Sequence, residues 1–245
     1  MMKKIGLVGG LSWVSTAEYY RLINELIRVK LGGYHSAHVL IESLDENKFL
    51  EMAKLDPSEK LCEKMIIDAV DVLRRGGAEV IALCANGVHR FEPAIKENCN
   101  VDIVHIADST AKEVEKSNIK NIGLLGVMKT MEGDFYRDKL SEKNIVVHIP
   151  NTVEKNLVHD KIMSELVLGK FTQETEDLFV NICMSLNANG AEGVILGCTE
   201  IPLLMKNVES LPMPLFSTTE IHCKAIVDAA CAKVTLLNKN MPISD

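Results

Sequence analysis

Residues 190–202, GAEGVILGCTEIP, read as a second copy of residues 77–91, GAEVIALCANGVHRF. Aligned on the shared Gly-Ala-Glu, Val80, Ile81, Ala82 and Leu83 fall on Gly193, Val194, Ile195 and Leu196, while Ala85 falls on Cys198 and Asn86 on Thr199. Each copy is a short apolar run closed by small and polar residues, the pattern of a buried strand that leaves a parallel sheet for a helix. Ligands of such sheets bind just outside the carboxyl ends of the strands. If the two copies face each other, positions 85 and 198 lie opposite across a cleft. One carries a thiol and the other a methyl group.

A second pair of stretches repeats with a similar offset: KIGLVGGLSW at 4–13 and NIGLLGVMKT at 121–130. Together the pairs indicate an internal duplication whose second half begins near Ser117. Strands are expected at 5–8, 37–41, 80–83, 101–106, 122–125, 145–149, the second GAE copy and 215–216. Helices are expected at 16–31 (capped by Ser12 or Ser15), 46–53, from Asp56-Pro57-Ser58 to 75, 90–97, 108–116 (capped by Asp108), 153–168, 173–189 and 218–237, with the last residues frayed. Alternating strands and helices imply an α/β fold with two similar pseudo-symmetric domains, each a parallel sheet flanked by helices. The expected domains are 1–116 and 117–217, with helix 218–237 packing back on the first and the ligand in the cleft between them.

The 245 residues are 47% hydrophobic and 25% charged, which suits a folded globular chain with a sizeable core. A net charge of −7 argues against a nucleic-acid or anionic-membrane partner, since both require a basic surface. The seven cysteines are odd in number and scattered, with no C-x-x-C pair and no metal-ligand spacing. They read as free thiols, and no metal site is expected. The apolar run after MMKK is too short for a signal segment or a membrane span, so a cytoplasmic location is expected.

Cys198 follows Gly197 at a strand end and precedes Thr199 and Glu200, which are expected to open a short helix. Helix N-terminal N–H groups favour a thiolate, making the residue a usable base or nucleophile; the alternative is a small buried core cysteine. Cys84 sits one residue before the position that matches Cys198, so its side chain is expected on the other face of the strand, in a packing role. His89, four residues past Ala85, is either a donor or base at the cleft or a structural residue at a helix start. Gly9-Gly10-Leu11-Ser12 is neither G-x-G-x-x-G nor Gly-Lys-Ser/Thr, so no nucleotide phosphate is expected there. Such a turn can still offer N–H groups at Leu11 and Ser12 to a substrate carboxylate, with hydroxyls from Ser12 and, near the corresponding place of the second half, Thr130.

The segments KIGLVGGLSWVSTAEYYRLIN (4–24), LCANGVH (83–89), HIADST (105–110), TMEGDFYRDKL (130–140), SELVLGKFT (164–172) and LGCTEIPLL (196–204) resemble the aspartate/glutamate racemase family over nearly the whole chain. The resemblance implies a homodimer of two-domain subunits that uses no pyridoxal phosphate or other cofactor. It also implies a small-molecule partner, an amino acid or dicarboxylate, whose α-proton is removed and returned by residues on opposite sides of the cleft. The family's Gly-Cys-Thr-Glu is intact as Gly197, Cys198, Thr199 and Glu200, which makes Cys198 catalytic and places Thr199 and Glu200 at the substrate. The family's Cys-Asn-Thr-x-His reads here as Ala85, Asn86, Gly87, Val88 and His89, with Asn86 and Gly87 at the substrate and Ala85 where a partner base belongs. Lys161 takes the place of a lysine that some members bring to the site.

Inversion by two bases needs a proton acceptor on one face and a donor on the other, and alanine has no proton to give. Three readings follow. The first is an amino-acid racemase, impaired or rescued by water, Cys84 or His89. The second is a single-cysteine lyase or isomerase like the related arylmalonate decarboxylases. The third is a non-catalytic binder of a small dicarboxylate.

Overall fold

The structure, a computed structural model, describes residues 2–208 and 211–239, with side chains to residue 232. The apolar run after the first lysines forms β1 (Ile5–Gly9), which lies between β2 (Val39–Ser43) and β3 (Val80–Leu83) in a parallel three-stranded sheet of order β2-β1-β3. Around it in sequence are α1 (Trp13–Leu31), α2 (Glu46–Leu55), α3 (Lys60–Arg75), a 3₁₀ turn at Gly87–Phe91 and α4 (Glu92–Cys99). Ser12 caps α1 by accepting from Ser15 N.

The strand expected at 101–106 shrinks to one parallel bridge, Ile103 to Ile81. Asn100 ends α4 in the left-handed region, and α5 (Ile106–Lys116) starts six residues later, leaving too little chain for a ladder. The cap of α5 is His105, whose Nδ1 accepts from Ala107 N at 3.2 Å, and not Asp108, which pairs with Lys112 at 2.6 Å.

The second half builds β4 (Asn121–Leu125), α6 (Met128–Glu132), α7 (Asp134–Ser141), β5 (Val146–His148), α8 (Thr152–Ser164), α9 (Gln173–Ala188), β6 (Val194–Leu196), α10 (Ile201–Leu204), β7 (Leu215–Ser217) and α11 (Thr218–Lys239). Its four strands are parallel in the order β5-β4-β6-β7. With Ile103 taken as the outer position, the first sheet has the same order. The fold is α/β, with two parallel sheets flanked by helices, as the sequence indicated.

The helix expected at 153–168 stops at Ser164, where Glu165 leaves helical geometry and a separate 3₁₀ turn, Leu166–Leu168, follows. The fraying expected of the last residues falls outside the described residues.

The chain divides into two compact units, one formed by the chain through Cys84, Phe91–Val104 and the chain from Cys223, the other by Ala85–Arg90 and His105–His222. In the first, Ile5, Leu7, Val80, Ala82 and Cys84 form one face of the sheet and pack with Tyr19, Ile23 and Ile27 of α1 and Ile226, Val227 and Ala230 of α11. In the second, successive side chains of β6 feed opposite faces, as the pleat requires. Val194 and Leu196 join Ile162 of α8 and Phe179 and Ile182 of α9, whereas Ile195 joins Val114 of α5 and Tyr136 and Leu140 of α7. Among the described residues no helix is long and apolar enough to cross a membrane.

Candidate functional site

The second unit collects most of the candidate residues on two turns, one after β6 and one at Ala85–Arg90. The turn after β6 is set by a close approach of backbones. A Cβ on Gly197 would lie 2.7 Å from Leu125 O and 3.1 Å from Thr130 Cγ2, and one on Gly126 would lie 2.9 Å from Gly197 O. Only glycines permit this spacing, and Gly197 N uses it to donate to Leu125 O at 2.6 Å. Cys198 follows at the carboxyl edge of the sheet.

Cys198 is 9% exposed, and its thiol donates to Glu200 Oε2 at 3.0 Å. Thr199 Oγ1 donates to the same oxygen at 2.9 Å, and Glu200 is 2% exposed. Burial, then the charge of Glu200 and its hydrogen bond, push the thiol well above its usual range. The backbone N–H groups of Thr199 and Glu200 pull the other way and are outweighed. The helix start thus favours a thiolate less than burial and the carboxylate disfavour it. The helix that follows has four residues, too short for a substantial dipole, and the carboxylate is nearer.

On the other turn, Ala85 is half-buried and Asn86 is buried with both ends of its amide engaged. Tyr136 Oη donates to Asn86 Oδ1 at 2.6 Å, and Asn86 Nδ2 donates to Thr218 Oγ1 at 3.2 Å. Thr218 in turn donates to Leu196 O at 2.8 Å, which ties this turn to the strand carrying Cys198. Neither Tyr136 nor Thr218 was singled out in the sequence. Tyr136 lay in plain view in TMEGDFYRDKL, and Thr218, like His105, stands where a helix follows the outer strand of its half.

His89 is fully buried, and its Nδ1–H donates to Ala85 O at 2.9 Å, with Asn86 O farther off at 3.3 Å. Its ring stacks edgewise on His105 and His222, with centroids 4.8 and 5.3 Å away. His105 Nε2–H donates to His89 O at 3.3 Å, and His89 Nε2 has no hydrogen-bond partner. Burial and then the two neighbouring imidazoles hold His89 neutral, with its proton affinity well below the usual histidine range. Among the described residues no group of three or more His, Cys, Asp or Glu side chains is arranged to hold a metal.

Thr130, on α6, is completely buried, and its Oγ1 has no partner. A Cβ on Gly87 would meet Arg90 Nη1 at 3.5 Å and that hydroxyl at 3.9 Å, both ordinary contacts. Arg90 itself bends back to donate to Gly87 O.

Of the other expected residues, Leu11, Ser12 and Cys84 belong to the first unit and Lys161 to the second. Cys84 shares the face of Val80 and Ala82 in the core of the first unit, where burial pushes its thiol far up. Ser12 caps α1, one residue after Leu11. Gly10 takes φ +89° and would place a Cβ 2.0 Å from Leu44 O, so glycine is required there. Its N–H donates to Thr16 Oγ1 at 2.8 Å. Lys161, on α8, forms an ion pair with Glu165 just past the end of that helix.

Known proteins share this fold. A crystal structure of a putative Asp/Glu racemase from Yersinia pestis is 39% identical, with a TM-score of 0.85 over 94% of this chain and 99% of that one. An aspartate racemase homologue from Pyrococcus horikoshii is 34% identical, with a TM-score of 0.79 over 94% and 99%. The broad specificity amino-acid racemase RacX of Bacillus subtilis is 22% identical across 93% of this chain and 98% of its own. Arylmalonate decarboxylase, 13% identical with a TM-score of 0.53 over 93% and 92%, shares the fold alone. The family model for Asp/Glu/hydantoin racemases matches residues 8–226, so that a duplicated α/β fold with a cysteine at the end of β6 finds its place: the chain belongs to that family.

Proposed function

We propose that the protein is a cofactor-independent amino-acid racemase of the aspartate/glutamate type, in which Cys198 exchanges a proton with the α-carbon. The observation that carries this reading is the Cys198 thiol, buried at the end of β6 and bonded to a carboxylate 3.0 Å away. A thiol so placed has a partner for its proton, which a core cysteine packed among alkyl groups lacks. The 39% identity to a putative Asp/Glu racemase supports the substrate class. Thr199 orients the carboxylate, and Gly87 with Thr130 offers room and a hydroxyl for substrate oxygen. The same reading takes the protein to be a cytoplasmic homodimer.

Ala85 limits the activity. Alanine can neither give nor take a proton, so the second group of a two-base inversion is missing at that position. His89, four residues on, is held neutral with Nδ1 committed to the loop carbonyl. Exchange on one face is then easier than inversion. The alanine also favours a second reading, a lyase or isomerase that needs one cysteine only.

Incubation with L- and D-aspartate and L- and D-glutamate in D₂O, followed by chiral chromatography and mass spectrometry, separates the cases. Inversion with α-deuteration supports the racemase. Deuteration with retention supports one-sided exchange, and the absence of both for all four substrates would discard the aspartate/glutamate assignment.

A further inference from the structure

We infer that Glu200 is the proton acceptor of Cys198, so that thiol and carboxylate share one proton and act as a single acid–base unit. The inference deepens the reading of Cys198 as the group that works on the α-carbon. Its basis is the geometry: Sγ lies 3.0 Å from Glu200 Oε2, Thr199 Oγ1 donates to the same oxygen at 2.9 Å, and both Cys198 and Glu200 are buried. The orientation is fixed by two donors on one carboxylate oxygen. A carboxylate placed to bind a substrate ammonium group would direct that oxygen at the ligand, whereas here it is directed at sulfur.

The proton inventory closes without another reactant. At rest the proton is on sulfur and Glu200 is ionised. The Sγ–H bond breaks as the proton passes to Oε2, and the thiolate then takes the α-hydrogen as a proton, leaving its electron pair on the α-carbon. Thiol and carboxyl now each hold one proton. In the reverse direction Sγ–H protonates the α-carbon and the thiolate recovers the proton from Glu200. After burial, the charge of Glu200 acts most on the thiol, and the N–H groups of Thr199 and Glu200 oppose it.

Two measurements on the intact protein test the pair. The first follows iodoacetamide modification of Cys198 against pH, read by mass spectrometry of its peptide, in wild type and Glu200→Gln. In wild type the apparent pKa should stand above the ordinary thiol value of about 8.5. In the variant it should fall, so that modification at neutral pH becomes about 10-fold faster for each unit of that fall. The second follows α-deuterium exchange, which should drop about 10² to 10⁴-fold in the variant, with Glu200→Asp recovering part of it. A variant whose cysteine titrates lower while its exchange collapses is the signature of a lost proton acceptor; a packing defect that only opens the site raises the modification rate at every pH and leaves the shape of the profile in place.

Unchanged or slower modification in Glu200→Gln, or exchange that survives there, would overturn the inference. If the variant does not fold, the wild-type titration decides: a Cys198 that titrates at or below the ordinary thiol value has no shared proton. If wild type exchanges none of the four amino acids, the racemase reading fails, yet the modification arm still tests the pair because it needs no substrate.

Discussion

Replacing Cys198 by serine keeps the shape of the turn and removes the acidity, since an alcohol is far weaker than a thiol as a proton donor. Exchange of the α-proton should fall about 10² to 10⁴-fold, the usual worth of a positioned acid or base, as read by deuterium incorporation. Unchanged exchange would remove Cys198 from the mechanism. Ala85→Cys should act in the opposite sense, raising the ratio of inversion to exchange; no gain would move the defect from Ala85 to Gly87. His89 adds a pH dependence of stability. The folded chain keeps its imidazole neutral well below the usual value, while the unfolded chain takes up a proton near about pH 6.5. Stability contributed by His89 is therefore full above about pH 6.5 and is lost as pH falls toward the folded value, by up to about 1.4 kcal/mol per pH unit. His89→Asn retains an N–H for Ala85 O and should flatten that slope. Urea midpoints between pH 7.5 and 5.5 provide the check, and identical slopes for the two proteins would show that His89 is not the residue that titrates.

At the level of elements, the ends of β4 and β6 set the position of Cys198, and two glycines set those ends. Gly197→Ala would place a Cβ 2.7 Å from a backbone oxygen, which cannot rotate away, so the strands must separate. The expected cost is about 1–3 kcal/mol, with a further loss of exchange because Cys198 shifts. Gly87→Ala is the control: its nearest neighbours are 3.5 and 3.9 Å away, and stability should change by less than about 0.5 kcal/mol. Chemical denaturation of the two variants distinguishes them, and equal losses would mean that the close approach at Gly197 is unimportant. Strands β1, β4 and β6 were legible because their apolar runs are short, continuous and closed by glycine. The cap of α5 was misread since His105 does with a ring nitrogen what Asp108 was expected to do with a carboxylate. Helices α6 and α7 went unnoticed for a related reason. They are five and eight residues long and broken by Gly133, so neither fills the window of about 11 residues over which apolar periodicity shows.

For the whole molecule, the repeat in the sequence carried most of the architecture, because a duplicated βα pattern leaves few ways to order parallel strands. It could not reveal the Tyr136–Asn86–Thr218–Leu196 chain, which joins residues far apart in sequence and depends on side-chain geometry that no spacing rule encodes. Nor could it show that the carboxylate after Cys198 turns back on the thiol. The division into units has a consequence of its own. From Cys223 onward α11 belongs with the first unit, where Cys223, Ile226, Val227, Ala230 and Cys231 complete the core beside β1 and β3, and Lys3 N donates to Ala230 O at 2.9 Å. Burying a large apolar side chain contributes about 1.5–3 kcal/mol, so losing Ile226 and Val227 with the three smaller residues removes an amount comparable to the whole stability of about 5–15 kcal/mol of a typical domain. A chain ending at Ser217 should therefore fail to unfold cooperatively and should expose apolar surface to a dye such as ANS, although the strands of both its sheets are still present. Adding back a peptide of residues 218–245 should restore part of the transition. A truncated chain with the thermal midpoint of the full protein would mean that the first unit's core closes without α11.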